Sequence, residues 1–118
     1  MSLFGSWLEE TRELQIQSYG SDPAGLDLPE WLEYIREQTL AAFVELGEYI
    51  QNIKWKPWAR SAYKPSSVTR AEAIEEMVDV LHFIANNLIA LDVTDEELNK
   101  SYEYKMQVNR DRMASGGH

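Results

Sequence analysis

Apolar residues recur along most of the chain at intervals of three and four, the spacing that places side chains on one face of an α-helix. The pattern predicts four helices, over residues 3–19, 27–54, 69–91 and from 94 onwards. The strict alternation that marks strands is absent. We therefore predict an all-α fold, a compact four-helix bundle formed by a single domain over residues 1–118.

Three of the predicted helices begin with residues that suit a helix cap. Asp27 can cap the second helix, and Thr69 with Glu72 and Thr94 with Glu97 have the spacing of a capping box. The segment between the second and third helices contains two prolines among aromatic and basic residues, so we expect a loop there.

The third predicted helix is apolar over most of its circumference beyond Asp79, where the chain reads VLHFIANNLIAL. Such a helix has to be covered on nearly all sides. A chain of 118 residues cannot supply that cover alone. We therefore expect a homodimer or homotetramer in which a second subunit completes the bundle.

Acidic residues form a single line on this otherwise apolar helix. At 100° per residue one polar stripe contains six side chains: Glu72, Glu75, Glu76, Asp79, His82 and Asn86. The second helix carries Glu45 and Glu48 as the only charges within LAAFVELGEYI, again three residues apart. If the two helices pack antiparallel, the pairs Glu45–Glu48 and Glu76–Asp79 can face each other.

Four converging carboxylates repel one another unless some are protonated or a divalent cation offsets their charge. Ligation by oxygen alone favours Mg²⁺, with Mn²⁺ as a substitute, or Ca²⁺, over zinc. Mg²⁺ commonly bridges carboxylates and substrate phosphates. The pattern therefore indicates metal-assisted attack of water on a phosphoanhydride.

Composition narrows the class of function further. The net charge is -9, which argues against binding to nucleic acid or to an anionic membrane. There are no cysteines, which excludes disulfides and thiol catalysis. No signal peptide and no apolar stretch of membrane-spanning length is apparent, so we expect a cytoplasmic protein.

The order Glu45-x-x-Glu48, a spacer, then Glu76-x-x-Asp79 resembles the signature of the all-α nucleoside triphosphate pyrophosphohydrolases, which include MazG-like enzymes and dimeric dUTPases. Three further stretches resemble the dUTPase branch: KWKPW at 54–58, EEMVDVLHF at 75–83 and YEYKMQVNRDR from Tyr102. The chain is most similar to a compact, phage-type member.

The resemblance implies Mg²⁺-dependent conversion of a deoxynucleoside triphosphate, dUTP or another dNTP such as dATP, dGTP or dCTP, to the monophosphate and pyrophosphate. It assigns Glu45, Glu48, Glu76 and Asp79 to the metal, with Glu48 also orienting the water. The other implied roles are phosphate binding by Lys56, Lys105, Asn109, Arg110 and Arg112, base binding by Gln15, Trp55 and Trp58, and outer-shell positions for Glu75 and His82.

The chain departs from the dUTPase pattern at several positions. Gln17 and Ser18 stand near the place where that branch carries an asparagine after its N-terminal glutamine, and Pro57 replaces a tryptophan. These changes bear on base specificity more than on the hydrolytic chemistry. The preferred base therefore remains open.

Two other classes of protein compete with this interpretation. A di-iron carboxylate bundle needs Glu-x-x-His on two helices, and the chain offers only Asp79-x-x-His82. A non-enzymatic helical interaction module explains amphipathic helices, but not acid pairs placed inside apolar runs. For His82 we expect a hydrogen-bonded core residue rather than a base, and for Asn86 and Asn87 a contact across a subunit interface.

Overall fold

The computed structural model describes residues 3–53 and 67–116. Within these ranges the chain forms four α-helices and no strand: α1 (Trp7–Tyr19), α2 (Leu28–Asn52), α3 (Ser67–Ala90) and α4 (Asp95–Ala114), with a 3₁₀ turn at Pro23–Gly25. The all-α prediction is confirmed.

Two predicted caps are present and one is not. The Asp27 carboxylate accepts a hydrogen bond from the backbone N–H of Glu30, and Thr94 and Glu97 form a reciprocal capping box. The third helix begins at Ser67, so Thr69 lies inside the helix and does not open it.

The first two helices are shorter than predicted. α1 begins at Trp7 rather than at residue 3, because Gly5 has a left-handed φ of +60° that cannot belong to an α-helix. α2 ends at Asn52, before the predicted residue 54.

α2 and α3 pack antiparallel and share the largest interface of the described chain. Hydrogen bonds from side chains fix their register at both ends: Trp31 to the Ala90 carbonyl, Gln38 with Asn86, Thr39 with Asn87, and Asn52 with Glu76. The two asparagines of α3 therefore pair with α2 of the same chain. They do not pair with each other within the chain, and their contact across a subunit interface stays a prediction.

The buried residues gather where the beginning of α2 meets the end of α3, with α1 and the 3₁₀ turn packed against that end. They are Leu8, Pro23, Tyr34, Val80, Ala85, Asn86, Ile89 and Ala90. We call this region the core end. It lies there because small residues on α3 let the neighbouring elements approach closely.

The first turn of α1 is capped by a side chain from another helix. Its own N-cap residue, Ser6, makes no capping bond through its side chain. Instead the Asp95 carboxylate accepts hydrogen bonds from the backbone N–H groups of Leu8 and Glu9, at 2.9 and 3.2 Å. Asp95 thereby satisfies two otherwise unpaired donors and joins α1 to α4.

The end of α3 directs α4 away from the α2–α3 pair. Asp92 has a left-handed φ of 58°, and the N–H groups of Asp92 and Val93 bond back to the carbonyls of Ile89 and Leu88. This arrangement ends the helix in a tight turn. The guanidinium of Arg12 bonds to Asp92 at 2.9 Å and stabilises the turn further.

α4 follows at 111° to α3, and its beginning packs against the N-terminal segment. Asn99 accepts a hydrogen bond from the backbone of Leu3, and the ring of Tyr102 meets Phe4 edge-on. No single described helix is long and apolar enough to cross a membrane; α3 and α4 pass that test only when counted together as a bent pair.

Candidate active site

Glu45, Glu48, Glu76 and Asp79 face one another across the α2–α3 interface, and we call them the acid group. The register places Glu45 and Glu48 between the Gln38–Asn86 and Asn52–Glu76 bonds, on the level of Asp79. Glu45 and Glu76 are half-buried, whereas Glu48 and Asp79 are exposed. The antiparallel packing that the sequence required for this convergence is present.

The surroundings of the acid group change the pKa of Glu45. Partial burial raises the pKa of the Glu45 carboxyl above its ordinary value, and the negative charges of Glu48, Asp79 and Glu76 raise the same pKa further. A hydrogen bond with Glu48 acts in the same direction. The other three carboxylates therefore lie close enough to Glu45 to repel its charge.

The acid group also holds a carboxylate oxygen that lacks a partner. Oε1 of Glu76 accepts a hydrogen bond from Nδ2 of Asn52. Oε2 of Glu76 is buried, and it accepts no hydrogen bond from the part of the chain that the structure describes. A buried anionic oxygen is unfavourable unless a donor or a cation meets it. This atom and the all-oxygen donor set fit a hard divalent cation.

The acids do not form a closed ligand set in this conformation. In residues 3–53 and 67–116, no three histidine, aspartate or glutamate side chains are arranged so that they could hold a metal ion as they stand. Glu48 and Asp79 are exposed, so their side chains are free to rotate toward a cation. To hold a cation, the acids would have to rearrange at least their side chains.

Asn52 is the residue of the site that the sequence interpretation missed. It ends α2, seven residues after Glu45, which is in turn seven residues after Gln38. A repeat of seven keeps these residues on the same side of the helix, and all three lie on the side that faces α3. The sequence signal that could have identified Asn52 is the recurrence of polar side chains at this spacing within an apolar helix.

A groove opens beside the acid group on α2. It is lined by Val44, Gly47, Glu48, Gln51 and Asn52 and encloses about 570 Å³. A Cβ atom added at Gly47 meets no atom of the described chain within 4 Å, so the space above this glycine is open. The groove is shallow and open to solvent, and the carboxylate of Glu48 borders it.

The residues predicted to bind phosphate on α4 lie away from the acid group. Lys105, Asn109, Arg110 and Arg112 are all exposed. Arg112 stands 17 residues beyond the start of α4, roughly 25 Å along a helix that turns by 111° from α3. Arg110 lines a different groove, together with Leu3 and other residues of α4. Within one subunit the described chain does not bring them to the acids.

The other predicted site residues differ in their exposure to solvent. Gln15 is half-buried on α1, whereas Glu75 and His82 are exposed on α3. The expectation that His82 is a core histidine is therefore wrong. The residues of the polar stripe that contact α2 are Glu76 and Asn86 instead. Outer-shell roles for Glu75 and His82 stay predictions. Trp55, Lys56 and Trp58 lie outside the described residues.

Comparison with known proteins identifies the family. The family model described as dUTPase matches residues 15–94, which include both acid pairs. The chain belongs to the dUTPase family. A dCTP pyrophosphatase of Enterobacteria phage LZ5 is 27% identical over 136 aligned positions, covering 92% of this chain and 79% of the relative. No solved structure matches this chain.

These findings confirm the resemblance to the dUTPase branch and to a compact phage-type member. The dUTPase-family chain is a nucleotide pyrophosphohydrolase, as the resemblance implied, and the interpretation as a non-enzymatic module is set aside. The two comparisons name different bases, uracil in the family and cytosine in the relative. They do not fix the substrate of this chain.

Proposed function

We propose that this dUTPase-family chain converts a deoxypyrimidine nucleoside triphosphate, dUTP in the first place and dCTP in the second, to the monophosphate and pyrophosphate. The observation that carries the proposal is the acid group, in which Oε2 of Glu76 is buried with no hydrogen-bond partner in residues 3–53 and 67–116, and in which burial and neighbouring carboxylates raise the pKa of Glu45. The family description supports dUTP, and the name of the phage relative supports dCTP. Both comparisons favour a pyrimidine over dATP or dGTP.

The proposed cofactor is Mg²⁺, with Mn²⁺ as a substitute, held by Glu45, Glu48, Glu76 and Asp79. Held there, the ion would supply positive charge that offsets the charge of the phosphates and favours deprotonation of water. Glu48, exposed beside the groove, accepts a hydrogen bond from the attacking water and orients it. The water oxygen bonds to one phosphorus of the α,β phosphoanhydride. The bond between that phosphorus and the bridging oxygen breaks, and one proton is released.

A panel of nucleotides tests the chemistry. The purified chain is incubated with dUTP, dCTP, dTTP, dATP, dGTP and the four NTPs, in Mg²⁺ or in EDTA, and the products are separated by ion exchange and identified by phosphorus NMR. We expect monophosphate and pyrophosphate in Mg²⁺ only, with the highest kcat/KM for dUTP or dCTP. A preference for a purine would overturn the base assignment. Folded protein that cleaves no nucleotide in any divalent metal would overturn the reaction.

We further propose that the active form is a homodimer or homotetramer. The apolar face of α3 that points away from α2 is exposed in the single chain, with Ile74, Leu81 and Ile84 each more than 40% exposed. Apolar side chains in a row of this kind favour a protein partner. Light scattering should give a multiple of 13.6 kDa, and Leu81→Glu should reduce it to the monomer.

The position of α4 allows a second test of the proposed oligomer. If the phosphate-binding residues of one subunit serve the acids of another, a mixture of Glu48→Gln and Arg112→Ala subunits regains activity that neither variant has alone. If α4 instead folds back onto its own acids, the mixture stays as inactive as its parts. Either result distinguishes the two routes by which Lys105, Asn109 and Arg112 can reach a phosphate.

A further inference from the structure

Asn52 occupies a defined place in the acid group. It lies at the last position of α2, one turn beyond Glu48, and its amide Nδ2 donates to Oε1 of Glu76 across the interface. The amide is neutral, so it adds no negative charge to a cluster that is already crowded with carboxylates. It can therefore hold Glu76 without increasing the repulsion within the acid group.

The two oxygens of Glu76 have different environments. Oε1 is held by Asn52, whereas Oε2 is buried and accepts no hydrogen bond from the described residues. A carboxylate with a single donor on one oxygen has its plane fixed by that bond, which leaves the other oxygen pointing in one direction. Hydrogen bonds to a ligating group commonly orient it for the metal and raise its affinity in this way.

We propose that Asn52 is a positioning residue that fixes the Glu76 carboxylate so that Oε2 faces the divalent cation. The inference rests on the proposed function, in which Glu76 is a ligand. Asn52 does not touch the reacting atoms in this arrangement. It acts through Glu76, and its loss should weaken the binding of the cation before it affects anything else.

A merely structural role would give a different result. Asn52 is exposed, and its bond to Glu76 also ties the end of α2 to α3. If this tie were its whole contribution, removing the amide would lower the unfolding temperature in EDTA and leave the affinity for the cation unchanged. Metal affinity in the absence of nucleotide therefore separates the two roles.

The test is a titration of the full chain with Mn²⁺, followed by electron paramagnetic resonance, without nucleotide. Asn52→Ala should weaken the Kd for Mn²⁺ by about 10-fold, the lower end of the range for groups that orient a metal ligand. The control is Gln107→Ala, which removes an exposed amide from α4, away from the acid group, and should leave the Kd within about 2-fold, as for a surface change. Asn52→Gln keeps the donor on a longer side chain and should retain more affinity than Asn52→Ala.

Steady-state kinetics supply a second readout. Raising the Mg²⁺ concentration should restore the rate of Asn52→Ala toward that of the wild type, because the defect lies in occupancy of the site. An unchanged Kd for Mn²⁺ in Asn52→Ala, with a normal wild type, would overturn the role of Asn52 and leave the proposed function intact. A wild type that binds no Mn²⁺ and hydrolyses nucleotides equally well in EDTA would overturn the metal site itself.

Discussion

The two ends of the α2–α3 pair have opposite effects on the stability of the fold. At the core end, Tyr34, Ala85 and Ile89 are almost fully buried, and Asn86 is paired with Gln38. At the other end, where the acid group lies, carboxylates repel each other and a buried oxygen of Glu76 lacks a partner in the described chain. The first arrangement stabilises the fold. The second costs stability, and under the proposed function a bound cation would offset that cost.

In this pair of helices, the residues that stabilise the fold lie at one end, and the residues assigned to function lie at the other. The core end also receives Leu8 of α1 and the 3₁₀ turn, and Asp95 and Arg12 join the surrounding elements there. The acid group receives no comparable cover from the described chain. Substitutions at the two ends should therefore affect activity and stability in opposite proportions.

The largest expected effect is on activity. Glu48→Gln removes the carboxylate that we assign to the metal and the water, and it should lower kcat/KM about 1,000-fold, the middle of the range for acid–base groups. The same change removes one of the charges that repel Glu45, so the unfolding temperature in EDTA should stay the same or rise. Both quantities can be measured on one preparation.

The control for this variant is Glu37→Gln, which removes a charge from an exposed position nearer the start of α2. It should leave kcat/KM within about 2-fold, as for a surface change away from the site. Equal losses of activity in both variants, or a large loss of stability in Glu48→Gln, would contradict the separation of the two ends.

The core end should respond in the reverse way. Ile89→Ala empties a fully buried position and should lower the free energy of unfolding by about 3 kcal/mol, within the range for such truncations. Urea denaturation measures the loss, and kcat at low temperature should stay near that of the wild type because no acid is touched. The control is Leu28→Ala, at an exposed position at the start of α2, which should cost at most about 0.5 kcal/mol. A loss of kcat in Ile89→Ala that persists in fully folded protein would show that the two ends are coupled.

A smaller effect is expected at the cap that joins α1 to α4. Asp95→Ala leaves the N–H groups of Leu8 and Glu9 without their acceptor, and it should cost about 1–2 kcal/mol of stability. The neighbouring Glu96→Ala removes only an exposed ion pair with Lys100 and should cost at most about 0.5 kcal/mol. Equal costs in thermal or urea unfolding would mean that Asp95 contributes no more than an ordinary surface charge.

The smallest effect concerns a buried hydroxyl of the core end. Burial raises the pKa of Tyr34 to about 12, and the nearby Tyr19 acts in the same direction. Tyrosine in the unfolded chain ionises near 10. Stability is therefore fully present below pH 10 and is lost as the pH rises from 10 towards 12, because only the unfolded state ionises readily in that window.

Tyr34→Phe should remove this component of the alkaline loss. At pH 7 its stability should lie within about 1 kcal/mol of the wild type, because the hydroxyl has no hydrogen-bond partner among the described residues. The exposed Tyr104→Phe should leave the alkaline slope unchanged. The contribution of Tyr34 would be refuted if the two variants lost stability in parallel between pH 10 and 12.

Much of this molecule could be predicted from local sequence. The spacing of apolar residues gave the four helices, and cap residues such as Asp27 and Thr94 gave two of their starts, since both signals depend only on neighbours a few positions away. The acid pairs were visible because charges inside apolar runs have to be accounted for. The family match and the phage relative confirm a nucleotide pyrophosphohydrolase, whereas the metal that the acids indicated stays a prediction.

Other features depended on contacts between distant residues. Nothing in the neighbourhood of Asn52 in the sequence indicates that its amide meets Glu76, 24 positions away. The polar stripe of α3 was assigned as a unit, yet the packing angle turned Glu76 and Asn86 toward α2 and left His82 exposed. Helical spacing gives the angle between side chains on one helix, but it does not give the direction that faces a neighbour.

The sequence by itself determined the helices and the two acid pairs, because periodicity, capping and charge are properties of short segments. The class of reaction followed from the resemblance of its motifs to a known family. Only the tertiary structure decided the register that joins the acids, the amide that holds Glu76, and the turn at Asp92 that carries Lys105 and Arg112 away from them. These features arise when helices distant in the chain share one interface. Their geometry is set by packing and by hydrogen bonds that no local pattern specifies.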